Sequence, residues 1–203
     1  FDLFRVNSLV PPPGGCSGGV VVGWGTWSIQ IGGETFLQNY AFPANGLIFT
    51  EDHVWMDGQI QTARLTIASG RFPDNPATRT NIIINNDALY TNYDGQDVLS
   101  FIAQGNFNVG LMSDDNLRID GAIIAQSGRV GRYSYNSSNC GIQRERASLT
   151  TYGMVGSNGR SAFFYSSSNG YQARTYNYDT NLLYGPPPSF PLTSDQYTIL
   201  SWK

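Results

Sequence analysis

Three kinds of side chain in this sequence could carry chemistry: a single histidine, acids placed beside glycine, and a heavy load of tyrosine. His53 is the only histidine, so a multi-histidine metal site is excluded, and any Ser-His-Asp triad would have to use it. It stands beside Asp52 just ahead of an apolar run, where it reads as a polar turn residue. No nucleophile elbow, zinc-protease helix or phosphate-binding loop is present. Glycan cleavage by paired carboxylates needs two acids facing one bond. Asp57 and Asp120 each precede a glycine in similar segments, so stacking of those segments would align them on one face. The third similar segment has Tyr152 there, and a solvated turn is the plainer reading of both acids. For calcium, Asn92-Tyr93-Asp94-Gly95-Gln96-Asp97 and Ser113-Asp114-Asp115-Asn116 offer oxygen ligands at Asp94, Asp97, Asp114 and Asp115. Neither stretch has the EF-hand or nonapeptide spacing, and Asp-Gly is an ordinary turn former. No cofactor is expected beyond such a structural calcium.

Aromatic residues make up 13% of the chain, with 12 tyrosines. Many lie among Gly, Ser and Asn, the composition of adaptable recognition loops. Trp24, Trp27, Tyr165, Tyr171 and Tyr176 are the candidates for ligand contact, with sugar stacking as the expected mode. The competing reading is that they cover the flanks and ends of a β core. Cys16 and Cys140 are the two cysteines. They pair as one disulfide in an oxidising compartment, or else stand as two small apolar residues. Asn136-Ser137-Ser138 matches a glycosylation sequon.

The elements that would position these residues are strands. Charged residues are only 13% and the formal net charge is -3, which gives no basis for nucleic-acid binding or for contact with an anionic membrane. No apolar pattern of helical period is sustained, so almost no helix is expected. Residues 10–19 hold three prolines and four glycines and read as a loop.

Three segments share an apolar alternation centred on glycine. They are Val54-Trp55-Met56-Asp57-Gly58-Gln59-Ile60, Leu117-Arg118-Ile119-Asp120-Gly121-Ala122-Ile123 and Leu149-Thr150-Thr151-Tyr152-Gly153-Met154-Val155. A closer echo pairs Phe101-Ile102-Ala103-Gln104 with Ile123-Ile124-Ala125-Gln126, 22 residues on. One coil of a parallel β-helix takes about that length. The chain is therefore expected to be all-β, a right-handed parallel β-helix (β-solenoid). Residues 1–45 would supply non-repetitive strands and loops, 46–156 the solenoid body, and 157–203 a loop-rich C-terminal cap within one structural domain. An antiparallel β-sandwich also gives short strands between turns and is the alternative.

The order of these features resembles bacterial surface proteins with a type IV pilin-like or PilX-type N-terminal segment and a β-helical ectodomain. The resemblance covers residues 46–203. It runs through Val54-Trp55-Met56-Asp57-Gly58, Leu65-Thr66-Ile67-Ala68, Asn81-Ile82-Ile83-Ile84 and Asp97 to Gln104. It continues with Asn116 to Gln126, Leu149-Thr150-Thr151-Tyr152-Gly153, Pro186-Pro187-Pro188 with Phe190-Pro191, and Ser201-Trp202. It implies a non-catalytic structural or adhesive domain on the bacterial cell surface, the ectodomain of a longer precursor. The implied partners are other pilus or surface-assembly subunits and a host-cell or surface glycan. A β-helical polysaccharide-cleaving or glycan-binding protein is the alternative function.

Overall fold

The structure is a computed structural model and describes residues 1–10, 13–16 and 30–190. The described chain is all-β, with helix only as short 3-10 turns at Ser138–Cys140, Ile142–Arg144 and Thr180–Leu183. The strands are β1 (Asp2–Leu9), β2 (Ile31–Asn39), β3 (Leu47–Thr50), β4 (Val54–Trp55), β5 (Gly58–Ile60), β6 (Arg64–Ser69), β7 (Ile82–Ile84) and β8 (Ala88–Tyr90). They continue as β9 (Val98–Ala103), β10 (Phe107–Val109), β11 (Asn116–Ala125), β12 (Val130–Arg132), β13 (Glu145–Ser157), β14 (Phe164–Ser166) and β15 (Asn169–Tyr178). Their β-branched and aromatic residues suit a pleated, half-buried surface, and Asn, Asp and Gly fill the corners between them.

From β3 to β13 every strand pairing is parallel, and the pairings form three strips. The first runs Thr66↔Ser100↔Ala122↔Met154, with β3 beside β6. The second runs Val54↔Ile82↔Phe107↔Val130 and is extended by a bridge from Gly131 to Ala162. The third runs Gly58↔Ala88↔Ile119↔Thr151↔Tyr176. The chain visits the strips in this order and then returns to the first, one strand further along. The long strands β11 and β13 pass from the third strip straight into the first. They bend at Gly121 and Gly153, whose φ values are +142° and +149°. A Cβ on Gly153 would run into the carbonyl oxygen of Gly121.

The 22-residue echo is a register relation, since Ala103 pairs with Ala125. The second and third glycine-centred segments are likewise in register, Leu117 with Leu149 and Gly121 with Gly153. The first segment is not. Gly58 aligns with Ala88 and Ile119, two residues away from the match that aligning its glycine with Gly121 requires. An antiparallel sandwich does not fit this parallel register; among the described residues antiparallel pairing is confined to β1–β2 and β14–β15.

Inward side chains stack along the strips into one core that includes Leu65, Ile82, Phe101, Phe107, Ile123 and Tyr171. Such stacking buries apolar area in every layer, at about 25 cal/mol per Å². One stack changes character at its end. Ile84 and Val109 are followed in register by Arg132, which is fully buried. Its guanidinium donates to the carbonyls of Leu111, Gln143 and Arg144 at 2.7–3.0 Å and lies 4.8 Å from the Tyr135 ring centre. Burial pulls its pKa down to about 10.

The corner before the second strip is held by a side-chain ladder. His53, Asn81, Asn106 and Arg129 each directly precede a strand of that strip. The Asn81 N–H donates to His53 Nδ1 at 3.0 Å, the Asn106 N–H to Asn81 Oδ1 at 2.7 Å, and the Arg129 N–H to Asn106 Oδ1 at 2.9 Å. Each carboxamide lies under the residue before the next rung, so that residue must be small. A Cβ on Gly105 would come within 2.5 Å of Asn81 Oδ1.

After β15 the chain crosses the outer side of the first strip. Leu182 and Phe190 pack against Val98, Ala122 and Met154. Arg64 donates to the carbonyls of Gly185 and Pro186 at 2.7 and 2.9 Å, and the Thr66 hydroxyl to that of Pro188. These contacts of residues 180–190 are lateral, along the stacked strands. Cys16 and Cys140 form a disulfide with a Cα–Cα distance of 4.5 Å, packed with Leu111, Tyr133 and Tyr135.

Two outcomes are expected. Asn106→Ala strands the Arg129 N–H and lowers the unfolding free energy by about 1–3 kcal/mol, read from the urea midpoint at unchanged slope. The Cys16→Ser/Cys140→Ser double variant releases a long loop in the unfolded chain. It loses about 2–5 kcal/mol in guanidinium unfolding, and reductant then has no further effect on it.

Candidate functional site

The residues singled out from sequence go to different places. Trp24 and Trp27 lie outside the described residues. Asp57 and Asp120 do not form a pair: Asp57 shares its rung with Asp87 and Arg118, whereas Asp120 is level with Leu89 and Tyr152. Their settings differ as well. Asp57 is exposed and accepts from Asn86 Nδ2 at 2.5 Å. Asp120 is fully buried and accepts from the Tyr90 N–H at 3.0 Å, the Tyr93 hydroxyl at 2.6 Å and Arg118 Nε at 2.9 Å. The Tyr93 hydroxyl is pushed up to about 12, first by desolvation and then by that bond to Asp120. A carboxylate that is fully buried and holds three donors ties its loops together and is closed off from a substrate in solution.

The calcium candidates do not converge, and among the described residues no group of three or more His, Cys, Asp or Glu could hold a metal ion. Asp94 accepts from the N–H and the amide of Gln96, two residues on. Asp97 is buried and accepts N–H groups from Ala63, Thr91 and Asn92 at 2.6–3.1 Å. Asp115 accepts from the Ala147 N–H at 2.9 Å. The carboxyl of Asp114 is raised, first by partial desolvation and then by the charges of Asp87 and, after the opposing Arg146, Asp57.

His53 serves as a hydrogen-bond acceptor at the foot of the corner ladder. Nδ1 must be unprotonated to accept, which fixes the neutral ring with its proton on Nε2. Its pKa is lowered, mainly by burial.

The three tyrosines separate. Tyr171 is a core residue and no contact residue: it is fully buried and its hydroxyl donates to the Asp114 carbonyl at 2.8 Å and can accept from the Ser113 hydroxyl at 2.9 Å. Loop-like composition suggested exposure, but parallel pairing with β13 turns this side chain inward. Tyr165 and Tyr176 come together with three arginines that the sequence reading did not weigh. They line an open cleft of about 510 Å³ with Arg129, Arg160, Phe164 and Arg174. Tyr165 is half-buried; its hydroxyl accepts from Arg129 Nη2 at 2.9 Å and donates to the Arg132 carbonyl at 2.7 Å. Tyr176 is 56% exposed, and the Arg174 guanidinium lies 4.4 Å from the Phe164 ring centre. Ser161, Ala162 and Phe163 complete the described lining.

Comparison with known proteins yields no match, either to a family model or to a curated protein or solved structure. The class that fold and site define is an all-β, disulfide-linked protein with an aromatic, arginine-lined cleft.

One consequence concerns pH. A histidine with a lowered folded pKa lets the unfolded chain bind more protons, so stability falls as pH drops below about 6.5. The native protein should unfold at lower urea at pH 5.5 than at pH 7. His53→Gln, which removes the titrating group, should flatten this dependence.

Proposed function

We propose that this chain is a non-catalytic structural and adhesive domain of a type IV pilus-like or other bacterial cell-surface assembly, with a right-handed β-solenoid as its body. Three parallel strips visited in turn support a solenoid path. The right-handed sense follows from the strong preference of parallel crossover connections. The disulfide fits an oxidising, extracellular setting. The separation of Asp57 from Asp120, and the full burial of the latter, weigh against polysaccharide cleavage through that pair.

The observation that carries the assembly role is the β1–β2 ribbon. It is a two-stranded sheet that pairs with no other strand among the described residues. It exposes Leu3, Phe4, Phe36 and Leu37, and Tyr40 and Phe42 just beyond it are exposed as well, each between 38% and 54%. Phe4 and Phe36 touch edge to face across the two strands. A two-stranded ribbon of this kind is marginal in water, and contiguous exposed apolar surface marks a contact site. The neighbouring subunit of a surface assembly is the partner that would cover it.

Immunogold labelling of source cells with an antibody to this chain should mark surface filaments. The Phe4→Ser/Phe36→Ser variant, checked for an intact disulfide and unchanged far-ultraviolet circular dichroism, should lose that labelling and pass into the medium as a soluble species. Filament labelling unchanged in the variant, or labelling confined to the cell interior, would overturn the proposal.

A further inference from the structure

The geometry points to head-to-tail stacking of a second copy of this chain, the last rung of one copy against the first rung of the next. The inference goes beyond the assembly reading above and uses a different surface from the β1–β2 ribbon. Each strip is five rungs deep. The first runs β3, β6, β9, β11, β13, the second β4, β7, β10, β12 and Ala162, and the third β5, β8, β11, β13, β15. Both ends of the stack are therefore level. At the first end β3, β4 and β5 each have one strand partner, and no described strand pairs with their other edge. At the last end β14 pairs with β15 only at Asn169 and Gly170. Among the described residues, the far edges of β15 from Gln172 to Tyr178 and of β13 past Gly153 have no strand partner. Such edges are templates for another strand. A copy in the same orientation offers its opposite end to all three strips at once and keeps the pairing parallel.

The two ends are complementary in charge and shape. Residues 47–63, the first circuit of the strips, hold Glu51, Asp52 and Asp57 and no lysine or arginine. Residues 154–178, the last, hold Arg160 and Arg174 and no acid. Asp52 meets Arg71 at 3.1 Å, and Arg174 donates to the carbonyls of Tyr171 and Gln172. Glu51, Asp57 and Arg160 are exposed. Continued register brings the opposite charges together. The second strip reads Trp55↔Ile83↔Asn108↔Gly131↔Ala162, so the next copy's Trp55 follows Ala162 and its Glu51-Asp52-His53 corner follows Arg160. The third strip ends on Thr151↔Tyr176, so the next copy's Gly58 follows Tyr176 and its Asp57 comes beside Arg174. Tyr176 is 56% exposed, and a Cβ on Gly58 would meet nothing within 4 Å. An exposed ring thus comes opposite an open position. Ile48, Val54 and Met56 are only partly buried against the core at the first end, and a further rung would complete their cover. Head-to-tail contact of this kind leaves both outer ends open and builds a filament.

The test is sedimentation velocity of the intact, disulfide-bonded protein over a range of concentrations. Its species should grow with concentration as an open series and move back toward monomer with added salt. Glu51→Arg/Asp57→Arg at one end and Arg160→Glu at the other should each weaken association by at least about tenfold, with the circular dichroism and urea midpoint unchanged. An equimolar mixture of the two variants should associate again, because each keeps the native end that the other has lost. The series should persist in Phe4→Ser/Phe36→Ser, as short soluble stacks, which separates stacking of the ends from contacts of the ribbon. A monomer at every concentration, a closed dimer, loss of association in the ribbon variant, or association unaltered by either end's substitution overturns the inference. Filament labelling of source cells decides the assembly reading separately.

Discussion

Parallel strands stacked in register leave a recurring problem at each corner, where the backbone must turn and its N–H groups lose their place in the ladder. Buried backbone groups without partners are costly, and the corner before the second strip meets that cost with a side chain from the rung below. His53, Asn81 and Asn106 each supply the acceptor for the next rung's N–H. Asp97 does the same between the third and first strips, reaching back to the Ala63 N–H. The register of the strips depends on these bonds as much as on apolar stacking, because sliding one strand by a residue would displace every acceptor. The small residues at Gly105 and Gly128 follow from the space the carboxamides need.

Two charged side chains of the interior are held in a similar way. Asp120 and Arg132 are both fully buried, and each is enclosed by groups of complementary polarity. Asp120 gathers three donors. Arg132 has no carboxylate and instead meets three carbonyls and two aromatic faces. Charges of this sort are costly to strip of their partners, so they fix loop conformations around the core. Arg160 and Arg174 of the cleft are different in kind, lying at the surface.

Much of the strand pattern was legible because stacked rungs repeat their side-chain pattern. The echo from Phe101 to Ile123 and the match of Leu117-Arg118-Ile119 with Leu149-Thr150-Thr151 both reflect true pairing. The match of Gly58 with Gly121 failed because those glycines meet different needs: one lies in open space while the other avoids Leu99 and Phe101. Tyr171 could not be placed from composition, since a tyrosine in a polar stretch turns inward or outward according to register alone. The corner ladder left a usable signal: a polar residue directly before a short apolar run, as in Asn81-Ile82-Ile83-Ile84, Asn106-Phe107-Asn108-Val109 and Arg129-Val130. Read in that light, Arg160 before Ser161-Ala162-Phe163 is the next rung and leads to the cleft.

The disulfide has a mechanical meaning. Its cysteines are 124 residues apart, and most of the stacked rungs lie between them. A tensile load carried along the chain passes from Cys16 straight to Cys140 and bypasses everything in between. At about 3.5 Å per extended residue, some 400 Å of chain is thereby withheld from stretching. Only the segments outside the bridge can pay out under force, β1 on one side and β13 to β15 with residues 180–190 on the other, so the protein would yield at its two ends while the greater part of its body stayed wound.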